Sequence, residues 1–113
     1  MEGLSEIERD ERLHKFVDIL TEAKRVDCSD IHFAPACPVM LRVDGDLVPY
    51  KESFKPFEID ALLEVMLSEE QLKNLEEIGE LDFAYSIKGF SRLRLNVFRQ
   101  RGTYAMAVRI LSY

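Results

Sequence analysis

Alternating apolar and polar residues predict three strands in the last third of the chain. Apolar side chains occupy every second position over 81–87, 93–97 and 104–110. This period of two is typical of a strand that buries one face. Breaks at Gly89 and at Arg101-Gly102 separate the three segments. The pattern therefore predicts an antiparallel meander with two tight hairpins.

The register of this meander follows from its apolar face, because a shift by one residue would turn the apolar set towards water. A two-residue loop at 101–102 pairs Leu95 with Val108. A three-residue loop at 88–90 pairs Leu95 with Phe83 on the other side. Both loops keep the apolar face continuous across the three strands.

On the opposite face, this register places Arg94 directly across from Arg109 and next to Ala84. It supplies no acidic residue as a direct neighbour, since Asp82 is only diagonal. Two adjacent guanidinium groups can bind a carboxylate or a phosphate. A solvated arginine face, with acids provided by another part of the fold, is the alternative.

The remaining elements are predicted from helical periodicity, caps and turn signals. They are a helix at about 6–25 with a Ser5/Glu8 capping box, short strands at 29–34, 39–43 and 46–49 with an Asp44-Gly45 turn, a helix from Pro56, and a helix from a Ser68/Gln71 capping box to Gly79. This order predicts an α+β fold, in which an antiparallel sheet carries its helices mainly on the apolar face. The arginine face is then at least partly uncovered.

Charge is distributed unevenly along the 113 residues. The net charge is −6, yet residues 1–87 carry −12 and residues 88–113, which contain no acid, carry +6. The length indicates one domain. The chain lacks a run of 18 apolar residues and a basic, apolar N-terminal signal, so we expect a cytoplasmic protein.

Complete active-site motifs are absent from the sequence. Its five glycines form neither a Walker A loop nor a GxGxxG turn, so we expect no enzymatic activity from this chain alone. Cys28, His32 and Cys37 have no spacing typical of a zinc site, and we expect reduced thiols and no metal.

Two segments carry a resemblance to a known family. They are SDIHFAPACPVMLRVDGDL at 29–47 and GELDFAYSIKGFSRLRLNVFRQRGTYAMAVRIL at 79–111. In this order, SDIH, RVDGDL, ELDF and RxRxNVFRQRG resemble the N-terminal domain of the type IV pilus retraction (twitching-motility) ATPases of the type II/IV secretion superfamily. The match is weakest over 56–77.

The resemblance implies a single PAS-like N-terminal domain over 1–113, with its elements after the first helix over 29–111. In the family this domain precedes a RecA-like ATPase domain that holds ATP and Mg²⁺. Since Tyr113 lies about where the linker should begin, we expect an excised domain without that ATPase part.

In the family six subunits form a ring, and the N-terminal domain packs on the ATPase domain of a neighbour. Two of its arginines, matching Arg94 and Arg109, reach the phosphates. For Arg92, Arg99 and Arg101 we expect positions at a subunit interface or near the nucleotide. We expect the protein to be cytoplasmic and to associate with the inner membrane through the pilus or secretion machinery.

Two other functions are compatible with the residues. One is a stand-alone PAS-type sensor whose arginine pair holds a small anionic ligand. The other is nucleic-acid binding by the basic meander, which the acidic net charge and the shortage of aromatic residues on its polar face argue against.

Overall fold

Six strands and three helices make up most of residues 14–111, the part of the chain that this computed structural model describes. In chain order they are helix α1 (His14–Arg25), strands β1 (Asp30–Phe33), β2 (Pro38–Val43) and β3 (Asp46–Ser53), helices α2 (Pro56–Met66) and α3 (Glu69–Ile78), and strands β4 (Glu80–Ile87), β5 (Ser91–Gln100) and β6 (Thr103–Leu111). The predicted α+β class is confirmed. The predicted start of the first helix, with its capping box at residues 5 and 8, lies outside the described residues.

The strands form one antiparallel sheet in the order β3-β2-β1-β6-β5-β4. Strand β1 is central because it pairs with β2 on one side and with β6 on the other. The pairing of β1 with β6 joins the two halves of the chain. Local patterns did not predict it, since the two strands lie far apart in sequence.

The predicted register of the meander is confirmed at each pair. Leu95 faces Val108 on one side and Phe83 on the other, and both loops have the predicted lengths. Arg101 adopts a left-handed conformation (φ 53°) in the second turn, and Gly102 follows at φ 80°. A turn with two positive φ values matches the twist of its flanking strands, which explains the tight connection.

The core lies between the apolar face of the sheet and the helices. Phe16 of α1, Ile59 of α2 and Leu75 of α3 are buried in one cluster with Leu93 and Leu95 of β5. Burying a large apolar side chain contributes about 1.5–3 kcal/mol. Burial of its apolar face therefore stabilises the sheet. The opposite face does not contribute to the core and need not be apolar.

Caps and turns define the helices largely as predicted. The Ser68 hydroxyl accepts a hydrogen bond from the backbone N–H of Gln71, and the Gln71 side chain accepts one from the N–H of Ser68. Gly79 ends α3 at φ 88°. Strand β3 continues past Pro49, where the sequence predicted its end, because an edge strand tolerates a missing N–H.

Candidate functional site

A row of charged side chains crosses the sheet on the face away from the core. Arg42 of β2, Asp30 of β1, Arg109 of β6 and Arg94 of β5 occupy laterally adjacent positions. We call these four residues the arginine row. Ala84 of β4 follows Arg94 at the end of the row and is too small to cover it.

The predicted opposition of Arg94 and Arg109 is confirmed, and both side chains are exposed. Like charges directly opposite each other cost roughly 0.2–1 kcal/mol in a sheet. Within residues 14–111, Arg94 makes no hydrogen bond or ion pair. Its guanidinium is therefore available to a ligand.

The prediction that Arg109 has no acidic neighbour is wrong. Asp30 pairs directly with Arg109 across β1 and β6, and its Oδ1 accepts a hydrogen bond of 3.0 Å from the Arg109 Nε. Its Oδ2 lies 3.7 Å from the Arg42 Nε. Alternation in β1 places Asp30 on the polar face, but the long-range pairing with β6 has no local signal. Sequence reasoning therefore missed both Asp30 and Arg42.

A cleft of about 190 Å³ opens beside the arginine row. Its polar lining comes from Asp30, Arg94 and Arg109 on one side and from Asp82 and Asn96 on the other. The Asn96 amide donates to the Asp82 carboxylate at 2.8 Å, which fixes the acidic side. An anion is attracted to the guanidinium side of the cleft and repelled by its acidic side.

The other predicted arginines do not join this cleft. Arg92 lies on the same face, between Ser86 and Leu111. Arg99 lies on the helix side, where its Nη1 donates to the Glu76 carbonyl at 2.9 Å near the end of α3. Positive charge near a helix C-terminus is favourable. The roles expected for Arg92, Arg99 and Arg101 at an interface or near nucleotide stay predictions.

A second cleft, of about 460 Å³, lies between α2, α3 and the β5–β6 turn. Its lining includes Asp60, Glu64, Glu76 and Arg99. Burial and the Glu64 carboxylate raise the pKa of Asp60. An excess of carboxylates disfavours a phosphate ligand here, so we place the candidate anion site on the arginine row.

The cysteines lie in different environments. Cys28 is buried, burial raises the pKa of its thiol, and its Sγ donates to the Asp30 carbonyl at 2.9 Å. Cys37 is exposed. Among residues 14–111, no group of three or more His, Cys, Asp and Glu side chains could hold a metal ion.

None of the helices over residues 14–111 combines the length and the apolar character that crossing a membrane requires.

Known proteins resemble this chain in sequence. No protein-family model matches it. It is 33% identical over 93 residues to the type IV pilus retraction ATPase PilT of Pseudomonas aeruginosa, covering 79% of this chain and 26% of that protein. The uncharacterized protein YggR of Escherichia coli is 32% identical over 94 residues, covering 83% of this chain and 28% of YggR. The chain thus spans about a quarter of the length of these relatives.

Solved structures resemble it in fold. A crystal structure of the pilus retraction motor PilT with bound ADP matches with a TM-score of 0.75 and 34% identity, covering 82% of this chain and 28% of that one. The Legionella pneumophila ATPase DotB matches with a TM-score of 0.71 and 20% identity, covering 86% and 28%. The second similarity supports the fold alone.

Proposed function

We propose that this chain, a homologue of the N-terminal region of the pilus retraction ATPase PilT, is the regulatory and ring-forming domain of a type IV pilus retraction (twitching-motility) or secretion ATPase. Support comes from similarity that covers most of this chain but only about a quarter of PilT. A PAS-like domain joined to a RecA-like ATPase domain agrees with that coverage.

In this proposal Arg94 and Arg109 contact the phosphates of a nucleotide bound by a neighbouring subunit of a hexamer. The observation that carries it is their exposed, directly opposed position on the face away from the core. Arginine forks bind phosphate oxygens in a planar, bidentate way. Cations placed at the γ-phosphate stabilise the charge that develops during phosphoryl transfer.

ATP hydrolysis itself is assigned to the longer protein, which would hold ATP and Mg²⁺ in its RecA-like domain. The 113 residues contain no Walker A loop. We propose that their partners are ATPase domains of the same ring and the pilus or secretion machinery at the cytoplasmic side of the inner membrane, and not nucleic acid.

The test compares turnover with stability. In the full-length ATPase, Arg94→Ala and Arg109→Ala are expected to reduce turnover by about 10³–10⁵, the range for loss of an arginine finger. Lys88→Ala is the control, because Lys88 is an exposed cation in the turn between β4 and β5 and is not part of the arginine row. The melting temperature of the 113-residue chain should change little for all three variants. Normal turnover in both test variants, or a loss matched by unfolding, would refute the proposal.

The cleft beside the arginine row supports a second candidate, a stand-alone sensor of a small anionic ligand. A thermal-shift screen of the 113-residue chain separates the two. A sensor should be stabilised by one small carboxylate or phosphate at micromolar concentration. A ring domain that shares its nucleotide with a neighbour should respond only weakly to any anion alone.

A further inference from the structure

We propose that Asp30 is a positioning residue, which holds the Arg109 guanidinium by its Nε and directs its terminal nitrogens to the anion. This inference rests on the proposed function of Arg94 and Arg109, and it adds an acidic residue to that site. It depends on contacts between strands that are distant in sequence.

The contact between Asp30 and Arg109 engages one edge of the guanidinium. Asp30 Oδ1 accepts a hydrogen bond from Nε at 3.0 Å. Within residues 14–111, Nη1 and Nη2 of Arg109 donate no hydrogen bond, and the side chain is 63% exposed. Two parallel donors therefore remain for phosphate oxygens, on a group whose orientation is already fixed.

Asp30 is itself held from its other side. Its backbone is paired on both edges, with β2 and with β6, and its side chain is only 22% exposed. Its Oδ2 lies 3.7 Å from Arg42 Nε, and Arg42 Nη1 donates to the Gly45 carbonyl at 2.9 Å. The contacts thus extend from the β2–β3 turn through Arg42 and Asp30 to Arg109.

A positioning role and a simple charge effect predict opposite changes in anion affinity when Asp30 is neutralised. A carboxylate beside an anion site repels the anion, so charge alone predicts tighter binding after Asp30 is neutralised. A positioning role predicts weaker binding, because the free Arg109 side chain must then be ordered by the ligand. Ordering one such side chain costs about 0.5–1.5 kcal/mol, which corresponds to a roughly 2- to 10-fold loss of affinity.

Asp82 provides the matched control. It lines the same cleft with a carboxylate, but that carboxylate accepts a hydrogen bond from Asn96 and forms no ion pair with any arginine among residues 14–111. Asp82→Asn and Asp30→Asn therefore remove the same charge from the same cleft. The two variants differ in whether an arginine loses its carboxylate partner and keeps only a neutral amide oxygen as acceptor.

The experiment titrates the 113-residue chain with inorganic tripolyphosphate and follows binding by NMR. Asp82→Asn should bind as tightly as the wild type or more tightly, and Asp30→Asn should bind 2- to 10-fold more weakly. In the absence of ligand, Asp30→Asn should also speed solvent exchange of the Arg109 Nε–H, which Asp82→Asn should leave unchanged.

Each outcome decides one of the two claims. If Asp30→Asn tightens binding as Asp82→Asn does, or leaves exchange at Arg109 Nε unchanged, the positioning role is wrong while the anion site stands. If the wild type does not bind tripolyphosphate, or if Arg94→Gln binds it as tightly as the wild type, the anion site on the arginine row is wrong. In that case faster exchange in Asp30→Asn would show only a structural ion pair. Far-UV circular dichroism verifies the fold of each variant.

Discussion

Replacing Arg94 with glutamine should stabilise the domain, although the change removes a residue of the candidate site. Arg94 lies directly opposite Arg109 and has Ala84 on its other side. Within the described part of the chain it has no ion pair to lose. Glutamine keeps the length of the side chain and removes the charge, so the variant isolates the repulsion between the two guanidinium groups.

The expected gain is small because both side chains are exposed. Like-charge cross-strand pairs cost roughly 0.2–1 kcal/mol, and solvent-exposed pairs fall at the lower end. We therefore expect Arg94→Gln to raise the free energy of unfolding by about 0.2–0.5 kcal/mol at low salt. Arg109→Gln should give no such gain, because it also removes the hydrogen bond to Asp30.

Urea unfolding monitored by far-UV circular dichroism measures these differences. Arg92→Gln is the control, since it changes the net charge equally on the same strand and face, with Ser86 and Leu111 as its neighbours. The gain should shrink in 1 M salt, where the Debye length is about 3 Å. A loss of stability in Arg94→Gln, or an equal gain in Arg92→Gln, would refute the reasoning.

Two further predictions concern local packing and thiol chemistry. Gly79→Ala should lower the free energy of unfolding by about 1 kcal/mol or more, because φ is +88° and an added Cβ would lie 3.1 Å from the Arg99 Nη2. Gly89→Ala, at φ +78° with open space around it, should cost less in the same urea assay, and an equal cost would contradict the packing argument. Iodoacetamide at pH 8 should modify exposed Cys37 well before Cys28, whose burial raises its pKa. Peptide mass spectrometry over time checks this order, and equal rates would contradict it.

Local patterns were sufficient to predict the meander and the position of the arginine pair. Two glycine-containing turns fixed the lengths of the loops, and apolar alternation then left one register for Leu95 and its neighbours. Both signals act between residues close in sequence. The same reasoning therefore placed Arg94 opposite Arg109 without any knowledge of the rest of the sheet.

Asp30 was missed for the opposite reason. Its contact with Arg109 depends on β1 inserting between β2 and β6, a pairing that no turn or short loop specifies. The side of the sheet on which Arg99 lies could have been predicted from the alternation in β5. Its position has the same parity as Leu93 and Leu95, so it lies on the helix side of β5.

The two faces of the sheet differ in what they contribute to stability. The apolar face carries the core, and the arginine row adds nothing to that core. An opposed arginine pair is locally unfavourable, and Asp30 offsets the charge of Arg109 while none of the residues 14–111 does so for Arg94. Local rules are broken mainly at functional sites. One substitution, Arg94→Gln, should therefore act in opposite directions, stabilising the isolated fold and weakening its binding of a phosphate anion. A gain in both properties would remove the argument that the pair exists for a ligand.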